Sequence, residues 1–179
     1  MSGQASQSAT HRAVGVAVHA TLGELAADRS ALRAQVVLNA SARHAREIAT
    51  VSGCRVGAQH VAPLCAVAVR MFPPESWQFV GAEVPAGDGA ADLVWRSPDG
   101  EVVVDEVKVN GLARVLEDSR TRSQIDRYRL WALGEFGDQF AGVRLLALAG
   151  PMRSRWYPPI GESQRLADTS WWWFEERWT

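Results

Sequence analysis

The sequence predicts an α/β fold in which helices flank a small mixed β-sheet, and three observations carry that reading. Apolar residues recur at helical spacing through the first part of the chain. After Pro73 and Pro74 the pattern changes to short apolar or alternating runs separated by turn residues. A helical segment and one further apolar run then follow, so the order is helices, three strands, helix, strand and an irregular tail.

Residues 1–12 are small and polar and predict a disordered lead-in. From about Ala13 to Ala27, AVGVAVHATLGELAA keeps helical spacing, with Gly15 and Gly23 as weak points. A second helix is expected from about Arg29 to Thr50, a stretch rich in alanine and arginine that lacks proline. The stretch 53–65 is ambiguous, and PLCAVAVRMF reads as a short helix or a strand, stopped by the two prolines. Three strands follow in WQFVGAEV (77–84), ADLVWR (91–96) and EVVVDEVKV (101–109), with Gly87-Asp88-Gly89 and Ser97-Pro98-Asp99-Gly100 as the turns between them. A helix fits 116–136, where Ile125, Tyr128, Leu130, Trp131 and Leu133 form the apolar set. GVRLLALAG (142–150) reads as a buried strand closed by Pro151. Trp171, Trp172, Trp173 and Trp178 gather at the end around Phe174, either to pack on the core or an interface or to stack on bases.

A chain of 179 residues, 47% hydrophobic, suits one domain over 13–179. No apolar run approaches the roughly 20 residues that span a bilayer, and no basic-then-apolar leader opens the chain, so a cytoplasmic protein without a membrane is expected. Cys54 and Cys65 lack the paired spacing of a zinc or iron–sulfur site and read as reduced thiols. A net charge of −1 argues against a protein that holds nucleic acid by a blanket of positive charge. It leaves room for acidic metal ligands and a separate arginine patch. Every basic residue is arginine except Lys108, which points to a place where a compact ammonium is needed.

Lys108 ends the third strand. Alternation puts Val102, Val104, Glu106 and Lys108 on one face and Val103, Asp105 and Val107 on the other. A hairpin through 97–100 brings Asp92 opposite the Glu106 region. Two carboxylates and an ammonium then converge, a set suited to Mg²⁺ or Mn²⁺ and to a water beside a phosphate. By itself the carboxylate-x-lysine spacing is weak, arising by chance about one time in nine in a chain with 20 acidic residues among 179.

Asp92, a spacer, and Glu106-Val107-Lys108 resemble the signature of PD-(D/E)xK nucleases. Gly15-Val16-Ala17-Val18-His19 is similar to the Gly-x-x-x-His helix motif of the RecB-type branch, and Gln124-Ile125-Asp126-Arg127-Tyr128 to its Gln-x-x-x-Tyr motif. The resemblance covers about residues 13–148, in the expected order. Ala91 stands where the naming proline would be, and the cysteines of the cluster-bearing members are missing, so no iron–sulfur cluster is expected.

What the resemblance implies is a restriction-endonuclease-like core and a metal-dependent deoxyribonuclease. His19, Asp92, Glu106 and the Val107 carbonyl would ligate Mg²⁺ or Mn²⁺, Lys108 would position the water, and Gln124 and Tyr128 would hold the lysine or the strand. Glu83 would support the ligands or reach the metal through water. Arg120, Arg122, Arg127 and Arg129 read either as phosphate contacts or as a solvated helix face. The expected substrate is DNA, as a single strand or duplex end, cut by an exonuclease or an end- or structure-dependent enzyme that works with a partner protein or as a homo-oligomer. A DNA-binding module with little cleavage and an RNA-directed nuclease are the alternatives.

Overall fold

The computed structural model describes residues 2–30, 32–150 and 154–160, so the tryptophan-rich segment at 171–178 lies outside the described residues. The elements are α1 (Ser2–Ala27), α2 (Ala34–Ser52), α3 (Ala58–Val69), β1 (Gln78–Ala86), β2 (Gly89–Arg96), β3 (Val102–Gly111), α4 (Leu112–Glu117), α5 (Ser119–Phe136), β4 (Phe140–Ala149) and β5 (Ser154–Tyr157). They form a five-stranded sheet in the order β1-β2-β3-β4-β5. β3 and β4 run parallel, with α4 and α5 in the crossover, and the other pairs are antiparallel. This is the mixed sheet flanked by helices that the sequence predicts.

Each face of the sheet carries its own apolar layer. Leu93, Trp95, Val103, Val107, Leu146 and Leu148 pack with α1, α2 and α3, whereas Val94, Val102, Val104, Val143, Leu145 and Ala147 pack with α4 and α5. β3 and β4 are therefore covered on both sides, which is why β4 reads as a nearly unbroken apolar run and β3 opens on three valines. In α1 the buried stripe Ala13, Ala17, Val18, Leu22, Leu25 and Ala26 follows helical spacing.

The elements differ from the expected ones at several ends, each for a physical reason. α1 begins at Ser2, so the stretch read as a disordered lead-in is helical from that residue. Extending a helix already nucleated by a packed segment costs little, and no proline stands in the way. α2 starts later than Arg29, because that guanidinium donates to the carbonyls of Trp77, at 3.2 Å, and Pro73, which holds the chain in a connecting loop. The ambiguous stretch is helical, and α3 tolerates Pro63 because Val61, Cys65 and Ala68 bury their side chains. The helix expected over 116–136 is two helices. Asp118 adopts an extended backbone, and its carboxylate accepts the Arg120 N–H at 3.0 Å, which caps α5 and separates it from α4. β5 adds a short edge strand in the region read as irregular.

Two local features fix where α1 and β3 lie. A Cβ at Gly23 would stand 2.9 Å from Ala82 Cβ, so the residue that looks like a weak point in α1 is what lets the helix approach β1. Beneath β3, Asp105 meets Arg144 of β4 in a fully buried pair. Arg144 Nε and Nη2 each donate to Asp105 at 2.6 Å, its Nη1 donates to the Met71 carbonyl at 2.7 Å, and Trp95 Nε1 donates to Asp105 at 2.8 Å. Every carboxylate oxygen has a partner, as a charge in an apolar layer requires.

Candidate active site

The β2–β3 ladder runs from Arg96↔Val102 to Leu93↔Asp105 and stops there. One residue further on, the Asp92 carboxylate accepts the Val107 N–H at 2.6 Å, so a side chain takes over where backbone pairing ends. Asp92 Oδ1 then faces His19 of α1, 3.3 Å from Nδ1, and Glu83 Oε1 of β1 stands 3.4 Å from the same nitrogen. One donor atom each from His19, Glu83 and Asp92 lies within 4.8 Å of the others, a spread one cation can bridge. The other ring nitrogen, Nε2, is 3.1 Å from the Val107 carbonyl. Glu83 occupies this place with a φ of 48°, a left-handed conformation disfavoured for a residue with a Cβ.

Glu106 and Lys108 face the α5 side. Lys108 pairs with Glu106 and donates to Gln124 Oε1 at 3.0 Å. The Gln124 amide donates to Glu106 Oε2 at 3.2 Å and to the Tyr128 hydroxyl at 2.7 Å, and that hydroxyl donates to the Ala90 carbonyl just before Asp92. A single network thus ties α5 to β3 and β2. Glu106 is fully buried, whereas the Lys108 side chain is 27% exposed, so the ammonium reaches solvent.

The electrostatics reflect this crowding of acids. Burial pushes the Glu106 carboxyl up to about 8, assisted by the charge of Asp92 and opposed by Lys108. Asp92 is also raised, by burial first, with His19 and the Val107 N–H pulling the other way. For His19, burial would lower the pKa, but the hydrogen bond with Glu83 and the charges of Asp92, Glu83 and Glu106 outweigh it and raise the ring to about 9. Both ring nitrogens face oxygen acceptors, so geometry and electrostatics agree on a doubly protonated imidazole. Tyr128 is raised chiefly by burial and stays a neutral donor.

Of the residues singled out in the sequence, Asp92, Glu106, Lys108, Gln124 and Tyr128 share one end of the sheet with His19. Glu83, expected either to support the ligands or to reach the metal through water, stands beside His19 and Asp92. Glu106 is held instead by Lys108 and Gln124, and the Val107 carbonyl faces the far nitrogen of His19. The four arginines separate. Arg127 pairs with Asp88 in the β1–β2 turn, Arg129 donates to Asp126 and the Pro158 carbonyl, Arg122 is exposed, and Arg120 lines a cavity with Lys108. Sequence reasoning passed over the Asp105–Arg144 pair. Its signal was Asp105 as the one charge on the Val103–Val107 face of β3 and Arg144 as the one charge in GVRLLALAG, which a buried strand tolerates only with a partner.

No family model and no curated protein matches this chain. Among solved structures it is similar to a repair endonuclease from Pyrococcus abyssi, at 27% identity and a TM-score of 0.33 over 41% of this chain and 30% of that one. It is also similar to EndoMS in a complex with dsDNA, at 23% identity and a TM-score of 0.31 over 41% of this chain and 28% of that one. The chain therefore matches less than a third of the length of either protein.

Proposed function

We propose that the chain is a metal-dependent nuclease of the PD-(D/E)xK type, in its RecB-type branch, that hydrolyses DNA phosphodiester bonds. The observation that carries this reading is the meeting of the His19, Glu83 and Asp92 donor atoms within 4.8 Å, beside a lysine held by Glu106 and Gln124. Two carboxylates and an imidazole fit a divalent cation, and Mg²⁺ or Mn²⁺ suits the oxygen-rich set. His19 Nδ1, Glu83 and Asp92 would hold it, while the Val107 carbonyl accepts Nε2–H and fixes the ring. Bound there, such a cation stabilises charge on the phosphate and lowers the pKa of a water.

The chain's own groups do the positioning. Glu106 and Gln124 hold the Lys108 ammonium so that it donates to the attacking water or a phosphate oxygen. The water oxygen forms a bond to phosphorus, the phosphorus bond to the leaving oxygen breaks in line, and that oxygen takes up a proton. A 5′-phosphate and a 3′-hydroxyl result. Tyr128 keeps Gln124 turned toward this centre by bridging it to the Ala90 carbonyl. An end- or structure-dependent action with a partner protein completes the reading. The test is cleavage of matched linear, circular, DNA and RNA substrates with Mg²⁺, Mn²⁺ or chelator. The reading expects metal-dependent DNA cleavage that Asp92→Asn abolishes, and equal activity of the variant would refute it.

A further inference from the structure

Beside the metal-ligand group, a cavity of about 510 Å³ opens where β3 gives way to α4 and α5. Lys108 and Gln124 line it together with Asn110, Arg114, Arg120 and Thr121, among others. Lys108 and Gln124 also belong to the candidate active site, so a group seated here is a neighbour of the scissile position. Three cationic side chains meet one carboxylate in the lining, that of Asp118. Asp118 is already occupied in capping α5, where it accepts the Arg120 backbone N–H at 3.0 Å. Among the described residues neither Arg114 nor Arg120 has a carboxylate partner, in contrast to Arg127 and Arg129 further along α5. Guanidinium groups, an amide and a hydroxyl are donors suited to phosphate oxygens. No aromatic ring is among the described lining residues, so the cavity offers a base no stacking platform.

We infer that this cavity is a phosphate subsite, in which Arg114 and Arg120 hold the phosphate of the nucleotide flanking the bond that is cut. The subsite rests on the nuclease reading for its substrate and on its own lining for its charge preference. The same chemistry serves an internal diester or a terminal 5′-phosphate, and substrate ends separate the two.

The experiment measures binding of a short oligothymidylate, bearing either a 5′-phosphate or a 5′-hydroxyl, to the full chain in chelator, followed by steady-state cleavage with Mn²⁺. The variants are Arg114→Gln, Arg120→Gln and their double, with Arg46→Gln on α2 as the control. Each of the two arginines is exposed, so thermal melting is expected to stay at the wild-type value. Each single variant should weaken binding roughly tenfold and reduce the slope of affinity against salt by about one. In cleavage, KM should rise while kcat changes little. If only the 5′-phosphorylated strand is weakened, the occupant is a terminal phosphate; if both strands are weakened alike, it is an internal one. A double variant that binds both strands as tightly as Arg46→Gln overturns the subsite. That failure is distinct from failure of the nuclease reading, which shows instead as cleavage unaffected by Asp92→Asn.

Discussion

Burial of Glu106, and the acids that surround His19, make the folded chain retain protons that the unfolded chain would release. His19 is raised from 6.5 to about 9, and Glu106 from 4.5 to about 8. Groups raised in this sense contribute stability that is complete below their unfolded values and is lost as pH rises through the folded ones. In chelator, the melting temperature should therefore fall as pH rises from 4.5 through 8 for Glu106 and from 6.5 through 9 for His19. Mn²⁺ should reverse most of the fall and bind more tightly as pH rises, because it competes with these protons. Melting curves across that range, with and without Mn²⁺, check both statements; a flat profile in chelator would contradict them. Lys108 makes a different demand. Arginine keeps the charge but replaces a compact ammonium with a planar fork, so Lys108→Arg should lose at least about a hundredfold in kcat and keep its fold. Single-turnover rates and thermal melting read the two effects separately.

At the scale of elements, two contacts set the distance between α1, β1 and β3 on which His19, Glu83 and Asp92 depend. Gly23→Ala gains about 0.5–1 kcal/mol of helix propensity. It also places a Cβ 2.9 Å from Ala82, and overpacking of that kind costs about 1–3 kcal/mol. Stability should change modestly, while Mn²⁺ affinity, read by calorimetry, should drop because α1 carries His19 away from Asp92. Arg144→Met leaves Asp105 buried with Trp95 as its remaining side-chain donor and should cost about 3–5 kcal/mol in urea unfolding, with Asp105→Leu on the same background restoring much of it. A cost near zero for the single variant would show that the pair does not hold β3 to β4. Much of this level was legible in the sequence. The turns at 87–89 and 97–100, the alternation on β3 and the helical stripe of α1 follow from local periodicity, which brings Asp92, Glu106 and Lys108 together; His19 entered only through the resemblance of its helix motif. The rest depended on tertiary context. Gly23 looks like a defect until β1 lies against it. Asp118 sits inside a helical pattern and ends a helix through its carboxylate, and β5 is a short run that becomes a strand through pairing with β4. Glu83 was seen as an acid on the right strand, and the turn after Ala86 keeps one register from Ala86↔Gly89 to Gly81↔Val94, which sets it across from Asp92; its closeness to His19 depends on α1 packing against β1.

Taken whole, the molecule carries a net charge of −1, so its attraction for a polyanion is local. With Lys108, Arg114 and Arg120 as the cations at the centre, affinity for single-stranded DNA should depend shallowly on salt, with a slope near that of two or three neutralised phosphates. Anisotropy titrations over a range of salt test this, and a slope several times steeper would require a second basic surface. Among the described residues no helix is long and apolar enough to cross a membrane. Both layers of the sheet converge on the same end, where α1 brings His19 from one side and α5 brings Gln124 and Tyr128 from the other. Cleavage of linear and circular DNA by the purified wild-type chain and by Lys108→Ala, each with Mn²⁺ and with chelator, tests whether that convergence is a catalytic centre. The wild type should cleave with Mn²⁺ and not in chelator, and Lys108→Ala should lose at least about a hundredfold in rate. Equal cleavage by the two proteins, or cleavage that persists in chelator, would contradict that expectation.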